Sequence, residues 1–228
     1  MTPERLDCIE RLARAILAID VEHPTRVAID GPDAAGKTIL ADELARLMEQ
    51  EGRPVIRASI DGFHRPRIER LARGSESPEG YFRDSFDYAA LRATLLDPLG
   101  PGGNRRYRRR VFDFRTDQPV VQATEVGPPN AILLFDGVFL LRRELFHLWD
   151  FSVFVAAPFR ETRRRAATRD VALFGSKAAV RHRYSIRYVP GQRLYYALEH
   201  PRSKADVVLD DQDPARPRLR FRRAVPTR

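Results

Sequence analysis

The order of apolar and polar positions divides the chain into helices and short strands. Apolar residues between Leu6 and Leu17 recur every three or four positions after Thr2-Pro3, which predicts a capped first helix. Short apolar runs rich in β-branched residues predict buried strands. These runs are 27–30, 54–60, 131–137, 151–155 and 205–210. Because helical patterns separate the runs, the sequence predicts an α/β domain.

Further helices are predicted between and after these strands. Their ranges are 39–48, 68–73, 88–99, 138–149, 158–170 and 177–199. A mobile loop is predicted around the short second helix of this series, from Arg65 to Gly80, and an interruption of the last helix at Pro190-Gly191. Residues 105–114 and 120–126 predict a hairpin, and the tail from Pro214 is expected to form a loosely held edge.

One loop between a predicted strand and a predicted helix carries a chemical signature. It reads GPDAAGKT and fits the pattern G-x-x-x-x-G-K-[ST], whose backbone N–H groups cradle phosphates. Lys37 then reaches the β and γ phosphates, and Thr38 offers its hydroxyl to Mg²⁺ at the start of a helix. A glycine turn without function is the alternative, but the order strand, loop, helix favours a nucleoside triphosphate site. Its residues are Gly31, Asp33, Ala34, Ala35, Gly36, Lys37, Thr38 and Ile39.

Two carboxylates stand at the ends of predicted strands. Asp61 follows the strand at 54–60, and Asp136 lies at the end of the run 131–137. Ligands of open α/β sheets bind beyond the carboxyl ends of the strands, so Asp61 is predicted to accept a proton from an attacking hydroxyl and to help hold Mg²⁺. A helix cap or turn is the alternative role for Asp61, and His64 is equally a structural histidine or a substrate contact.

Composition limits the remaining classes of function. At 228 residues with 43% apolar content, the chain is long enough for one well-buried domain. The formal net charge is +9, but only three of the 40 basic residues are lysine and the arginines are spread along the chain. Two runs, Arg105–Arg110 and Arg160–Arg169, either face phosphates or form solvated surfaces. Arginine bias accounts for the charge, and a nucleic-acid partner is not expected.

Cysteine content and hydropathy indicate the compartment. A single cysteine, Cys8, excludes an internal disulfide and fits a reducing environment. No stretch reaches the roughly 18 apolar residues of a membrane span, and the N-terminus, with Glu4 and Asp7, lacks the apolar region of a signal peptide. We therefore expect a cytoplasmic protein without a membrane partner.

Taken together, these motifs resemble those of the uridine kinase, phosphoribulokinase and pantothenate kinase group of P-loop kinases. The resemblance covers most of residues 25–212 and depends on the order and spacing of the pieces. They are GPDAAGKT, SIDGFH, YFRDSFDYAALRATLLDPL, VFDF, LLFDGVF, ETRRRAATRD, and RYVPGQRLYY followed by ADVVLD.

The resemblance implies a fold and an activity. The implied fold is an α/β P-loop NTPase fold with a parallel five-stranded sheet flanked by helices, forming one kinase domain over residues 1–228. A lid at about 158–176 is implied to close over ATP, and an acceptor-side insertion occupies about 62–126. The implied activity is transfer of the γ-phosphate of ATP, with Mg²⁺, to a hydroxyl of a small metabolite. A homo-oligomer is compatible with it.

Residue roles follow from the same resemblance. Asp61 is the implied catalytic base and, with Thr38 and Asp136, an implied ligand of Mg²⁺, although uridine kinases usually carry glutamate at the position of Asp136. Arg169 is implied to stabilise the transferring phosphoryl group, together with Lys37, and Arg163 to bind the nucleotide. The implied acceptor contacts are Asp61, Phe63, His64, Phe82, Asp84, Phe112, Phe114, Tyr188, Gln192 and Tyr195. Ordinary core packing is the alternative for the aromatic members.

The identity of the acceptor is the open point. Uridine kinases show a polar cluster with a histidine shortly after the segment that matches VFDF, whereas Arg115-Thr116-Asp117 stands here. The SIDGFH and RDSFD pieces are as similar to pantothenate or nicotinamide riboside kinases. Uridine or another nucleoside is the first expectation; the alternatives are another small alcohol, including a sugar, and a nucleotide-binding regulator without turnover.

Overall fold

A mostly parallel sheet of six strands forms the centre of the protein, whose computed structural model describes residues 1–222. The sheet strands are β1 (Thr25–Asp30), β2 (Val55–Ser59), β7 (Ile132–Gly137), β8 (Phe151–Ala156), β9 (Val207–Asp210) and β10 (Arg218–Phe221). Four two-residue strands lie between them: β3 (Arg106–Tyr107), β4 (Phe112–Asp113), β5 (Gln118–Pro119) and β6 (Glu125–Val126). The order across the sheet is β10-β9-β8-β1-β7-β2, and only β10 is antiparallel to its neighbour.

The five predicted strands are confirmed, with two differences. A sixth strand is present because residues 218–221 pair with β9, so the expectation of a loosely held tail is wrong for that part; the predicted tail beyond Arg222 lies outside the described residues. Strand β2 was expected to be buried but forms the other edge of the sheet, and its alternate residues are only half-buried. Strands β1, β7 and β8 are buried along their whole length, as parallel strands covered on both faces are.

Helices cover both faces of this sheet. They are α1 (Pro3–Leu17), α2 (Lys37–Gln50), α3 (Arg67–Arg70), α4 (Pro78–Asp84), α5 (Tyr88–Leu91), α6 (Arg143–Phe146), α7 (Phe159–Arg169), α8 (Val171–Phe174), α9 (Lys177–Arg183), α10 (Val189–Glu199) and α11 (Pro201–Lys204). Helices α1 and α2 pack on one face through residues such as Leu12, Ile16 and Leu44. Helices α4, α5 and α10 contribute to the core on the other face. The first helix begins as predicted, with the Thr2 hydroxyl accepting from the N–H of Arg5.

Three helix predictions are corrected by the structure. The range 138–149 forms only the short α6, because Val138–Leu141 make a buried turn in which Phe139 has a positive φ of 66°. Residues 177–199 stay helical through Pro190, since the irregularity is a π-helical turn at Tyr184–Tyr188 and proline is tolerated in the first turn that follows it. The predicted helix 88–99 likewise passes into a π-helical turn at Arg92–Leu96.

The region between β2 and β7 holds the remaining small elements. Helix α4 lies in and beyond the predicted loop, capped by the Ser77 hydroxyl, which accepts from the N–H of Gly80. The predicted hairpin is present as two short ladders, β3 with β6 and β4 with β5. Among the described residues, no helix is long and apolar enough to cross a membrane.

Candidate active site

The glycine-rich loop joins β1 to α2 at the carboxyl end of the sheet. A Cβ at Gly31 would lie 2.4 Å from the carbonyl oxygen of Val155, so no larger residue fits between the loop and β8. Gly36 has φ of 97° and directly precedes α2, a conformation that other L-residues rarely adopt. These two glycines give the loop the close approach and the turn that a phosphate cradle requires.

Lys37 is a buried cation at the start of α2. Its Nζ donates to the carbonyl oxygen of Pro32 at 2.7 Å, so the side chain folds back over the loop. Burial lowers the pKa of Lys37, while the nearby carboxylates of Asp33, Asp30 and Asp136 oppose that shift. The loop therefore holds the positive charge of Lys37 close to three carboxylates, in a position to bind an anionic ligand.

Two oxygen ligands suited to Mg²⁺ lie side by side. The Thr38 hydroxyl donates to Asp136 Oδ2 at 2.8 Å, and Arg57 binds Asp136 Oδ1 at 3.1 Å from strand β2. Mg²⁺ in phosphoryl-transfer sites usually takes one or two protein ligands and completes its shell with phosphates and water. The described residues contain no cluster of three or more acidic, His or Cys side chains able to hold a metal by itself. The pair Thr38 and Asp136 fits an ion that also depends on the nucleotide.

Asp61 lies on the short 3₁₀ turn that follows β2, with its side chain open to the crevice. The protein walls of the crevice raise the pKa of the Asp61 carboxyl, and repulsion from Asp136 adds to the shift. Lys37, Arg169 and Arg115 oppose it. Strand pairing places Ser59, two residues before Asp61, beside Asp136, and Asp136 accepts from Thr38 of the phosphate loop, so the structure brings the ends of β2 and β7 to this loop.

Solved structures of other proteins share this fold. No family model matches the chain. A structure described as a possible uridine kinase from Bacillus stearothermophilus superposes with a TM-score of 0.71 and 24% identity, covering 89% of this chain and 97% of that one. The chain has a P-loop kinase fold. A candidate fructose transport system kinase from Silicibacter sp. TM1040 gives a TM-score of 0.70 at 24% identity, with 83% and 94% covered.

A sequence relative supports the same group. The chain is 24% identical over 152 residues to uridine-cytidine kinase B of Dictyostelium discoideum, which is 66% of this chain and 60% of the relative. The match therefore spans about three fifths of that protein's length. The resemblance to uridine kinase-like P-loop kinases is thereby confirmed, and the predicted parallel α/β sheet is that of the fold.

Arg169, in the segment predicted to form a lid, is held by Asp170 and a buried tyrosine. Arg169 ends α7, and its Nε donates to Asp170 Oδ1 at 2.6 Å. The hydroxyl of Tyr184 donates to the other oxygen of Asp170 at 2.7 Å. Burial opposes the charge of Arg169, but the hydrogen bond to Asp170 and the nearby acidic groups together outweigh it and raise the pKa of the guanidinium. Arg163, two turns earlier in the sequence, is exposed and donates to the Ser185 hydroxyl.

Two of the predicted acceptor contacts, Gln192 and Tyr195, form hydrogen bonds to residues in or next to the phosphate loop. Gln192 and Tyr81 both donate to Asp33 Oδ2, at 2.6 and 2.7 Å, and so join α10 and α4 to the phosphate loop. Tyr195 donates to the buried Asp30, which also accepts from the N–H of Gly31 at 2.7 Å. Burial raises the pKa of Asp30 to about 6 although these hydrogen bonds lower it. Gln192 and Tyr195 therefore contact the base of the nucleotide site rather than a free pocket.

A cluster of aromatic rings lies next to Asp61. The His64 ring lies 4.5 Å from Phe86 and 4.7 Å from Phe114, and its Nδ1 is 3.1 Å from the carbonyl oxygen of Asp61. Burial lowers the pKa of His64 to about 4, so it is neutral at pH 7. The guanidinium of Arg115 stacks over Phe114 at 5.8 Å. His64 therefore lies beside Asp61, and the ring of Phe114 packs against it.

Other predicted acceptor residues lie elsewhere. Phe63, Phe82 and Phe112 are buried, with Phe63 packed on Phe135 and Phe82 on Phe139, which is the core-packing alternative. Asp84 pairs with Arg73 at 2.8 Å and is half-buried. Tyr188 packs between Tyr81 and Tyr184. Of the predicted nucleotide contacts, Ile39 is exposed on the first turn of α2, and Ala34 adopts a positive φ of 58°.

Sequence reasoning missed Arg165. Its guanidinium donates to the carbonyl oxygens of Ala35 in the phosphate loop and of Asp211 and Gln212 beyond β9, at 3.3, 3.0 and 3.3 Å. It therefore joins α7 to both sides of the space where the nucleotide would extend. The signal was present as the third arginine of the run Arg163–Arg165, but a run does not show which member faces inward. Arg57 was missed for a similar reason, since it interrupts an apolar strand.

Proposed function

We propose that this protein transfers the γ-phosphate of ATP to a hydroxyl of a small molecule, with a nucleoside such as uridine as the first acceptor to test. The supporting observation is the place of Asp61 in the fold: it follows β2, where Ser59 pairs with Asp136 of β7, and Asp136 accepts from Thr38 of the phosphate loop at 2.8 Å. Burial and repulsion from Asp136 raise the pKa of its carboxyl. A base beside a phosphate site is the arrangement that phosphoryl transfer to an alcohol needs.

Each residue has a role in the proposed transfer. The backbone of residues 31–38 and Lys37 bind the phosphates, and Thr38 with Asp136 would hold Mg²⁺, which offsets the negative charge of the β and γ phosphates when bound. Asp61 accepts the proton of the acceptor hydroxyl, whose oxygen bonds to the γ-phosphorus while the bond to the bridging oxygen of ADP breaks. Arg169 lies where it can stabilise the charge on the transferring group.

The raised pKa of the Asp61 carboxyl favours its role as a base. A carboxyl at its ordinary pKa is a weak proton acceptor, and a raised pKa strengthens it while the carboxylate is still populated. Crevice walls and Asp136 supply that shift, whereas the binding of cations would reduce it. The mechanism we propose is therefore positioning and charge neutralisation with one proton transfer.

The choice of acceptor is supported by the activities for which similar proteins are named and by the side chains near Asp61. A nucleoside is favoured because the sequence relative and one structural relative are named as uridine kinases. A sugar is the second candidate, since another structural relative is named for fructose transport and Arg115-Thr116-Asp117 replaces the polar cluster of uridine kinases. The aromatic side chains of His64 and Phe114, whose rings lie 4.7 Å apart, offer apolar surface against which a base can pack.

An ADP-release screen tests this proposal. Nucleosides, vitamins, sugars and sugar phosphates are each added to the protein with ATP and Mg²⁺, and ADP is measured by a coupled assay. We expect release that depends on one class of acceptor and that the Lys37→Ala variant lacks. ATP consumption that no acceptor stimulates, or salt-sensitive binding to a polynucleotide, would instead support a nucleotide-binding regulator.

A further inference from the structure

Arg187 is a buried arginine for which the mechanism has no use. It lies on the π-helical turn Tyr184–Tyr188, and only 4% of its surface is exposed. Among the described residues it has no carboxylate within ion-pair distance, although most buried arginines are paired with an anion. Burial lowers the pKa of Arg187, with Arg183 and Arg70 adding to the effect. A guanidinium in such a place needs other partners to offset the cost of its desolvation.

Its partners are backbone carbonyl oxygens of one loop. Nη1 donates to the carbonyls of Gly74, Ser75 and Ser77 at 3.1, 3.2 and 3.2 Å, and Nη2 donates to that of Arg70 at 3.2 Å. The planar fork of arginine directs several N–H groups at once, which a lysine cannot do. Arg187 therefore donates to four carbonyl oxygens of the loop 70–77, while Arg183 donates to that of Ser75 at 2.9 Å and His182 lies 3.1 Å from the carboxylate of Glu76.

The loop 70–77 is followed by α4, which contacts the phosphate loop. Ser77 caps α4, and Tyr81 on α4 donates to Asp33 of the glycine-rich loop. The Arg187 guanidinium also lies 5.9 Å from the centre of the Tyr81 ring. The position of residues 70–77 therefore affects the positions of α4 and of Tyr81.

The π-helical turn of Arg187 also contacts the lid. Tyr184, three residues earlier, donates to Asp170, which binds Arg169. π-Helical turns are rare and occur often at functional sites, because they place side chains where a regular helix would not. Here the turn carries one side chain to the lid and another to the loop 70–77.

We propose that Arg187 is a positioning residue that couples the lid to the acceptor-side loop 70–77. The inference rests on the proposed function, since it assumes that the nucleotide orders the lid. When the lid closes on nucleotide, the π-helical turn moves or stiffens with it, and Arg187 transmits that change to 70–77 and α4. The acceptor side is thereby completed only in the nucleotide-bound protein.

Hydrogen exchange on the full-length protein tests the coupling without any acceptor. Wild type, Arg187→Met and Arg187→Lys are compared with and without ADP and Mg²⁺, and Arg181→Met, an exposed arginine of α9, is the matched control. We expect exchange in 70–77 to rise about tenfold in Arg187→Met, because several hydrogen bonds to this loop are lost. Arg187→Lys should restore part of the protection, and Arg181→Met should behave as wild type.

The response to nucleotide separates coupling from simple stabilisation. In wild type, ADP should slow exchange in both 163–176 and 70–77. In Arg187→Met it should still slow 163–176 but no longer 70–77. An equal rise of exchange across the whole sheet in Arg187→Met, or an unchanged response of 70–77 to ADP in Arg187→Lys and Arg187→Met alike, would overturn the proposal.

Kinetics give a second readout with the acceptor found in the screen. Positioning of the acceptor loop predicts that Arg187→Lys raises the KM for the acceptor by about tenfold and leaves the KM for ATP within about twofold. Equal changes in both constants would count against it. If no acceptor is ever found, the proposed function fails, whereas the exchange result still decides whether 70–77 and the lid are coupled.

Discussion

The two sides of the crevice differ in how they are built. On the phosphate side, β1 and β7 are buried at every position, and the glycine-rich loop is held by backbone contact with β8. On the acceptor side, residues 62–126 form two-residue strands, short helices and a π-helical turn, and much of this surface is exposed. The phosphate side is thus fixed by the sheet itself, and the acceptor side by side-chain contacts such as those of Arg187.

This difference suggests a division of work. A triphosphate is the same in all P-loop kinases, so its cradle can be part of the rigid core, whereas acceptors differ and their contacts lie on segments that vary and move. Changes on the phosphate side should therefore remove activity with any acceptor. Changes on the acceptor side should act on one substrate and leave nucleotide binding intact.

The largest effect is expected for Lys37→Ala. Turnover should fall by about a thousandfold or more, because the variant loses the cation that neutralises phosphate charge in the loop. The protein should still fold, since the Lys37 side chain belongs to neither hydrophobic core. The melting temperature should fall, because the carboxylates of Asp30, Asp33 and Asp136 lose a nearby cation. Turnover near the wild-type value would show that the loop does not bind the transferred phosphate. Lys177→Ala, at an exposed position, is the control.

Asp61→Asn should lower turnover by about 10² to 10⁴, the usual cost of losing a positioned base. The amide keeps the size and one hydrogen-bonding oxygen, so the change isolates charge and basicity. ADP affinity measured by calorimetry should stay within about threefold of wild type, and turnover is measured at saturating Mg²⁺. Asp97→Asn, an exposed residue paired with Arg92, is the matched control. More than half of wild-type turnover in Asp61→Asn would mean that another group is the base.

A smaller effect is expected in the lid. Residues 163–176 include the exposed Leu173 and several exposed arginines, which cannot lose water without an anionic partner. A non-hydrolysable ATP analogue should slow hydrogen exchange there by about tenfold, while α2 beyond its first turn changes little. The same exchange with and without the analogue would mean that this segment is not a lid.

The smallest effect is a pH dependence of stability on the acceptor side. The pKa of His64 falls to about 4 in the folded protein from 6.5, so the unfolded chain binds the extra proton between these values. His64 therefore contributes stability above pH 6.5 that is lost as the pH falls towards 4, on the order of 3 kcal/mol. Denaturant unfolding of His64→Gln should show a smaller loss over this range than wild type.

Asp30 provides a check on that sign from the phosphate side. Its pKa rises to about 6 from 3.8, so its contribution is present at low pH and is lost as the pH rises towards 6. The two groups oppose each other over the same range in wild type. Only the difference between wild type and His64→Gln isolates the histidine, and an identical pH profile for both would contradict the shift of its pKa.

The sequence predicts the phosphate side far better than the acceptor side, for physical reasons. Buried parallel strands are continuous apolar runs, and a phosphate loop needs glycine at positions such as Gly31, so both features are visible in the residues themselves. The acceptor side depends on which side chain faces which, and period and composition do not determine that. Helix α4 was not predicted because it contains Pro78 and Gly80. Ser77 followed by Pro78 is nevertheless a common start of a helix.

The wrong helix at 138–149 shows the same limit. Its apolar spacing comes from burial of Val138–Leu141 under α10. There the N–H of Leu141 donates to the Tyr195 hydroxyl and to the Asp30 carboxylate instead of to a helical carbonyl oxygen. Gln192 and Tyr195 were predicted as acceptor contacts, and only the fold shows that they bind the carboxylates of Asp33 and Asp30. Such contacts between distant segments carry no local signal.

Transfer of labelled γ-phosphate tests the central claim most directly. The protein is incubated with γ-labelled ATP, Mg²⁺ and uridine, then with each other acceptor of the screen, and the products are separated from inorganic phosphate. We predict labelled acceptor with wild type, a trace with Asp61→Asn and none with Lys37→Ala. Label found only in inorganic phosphate with every acceptor, or equal transfer by wild type and Lys37→Ala, would contradict the account.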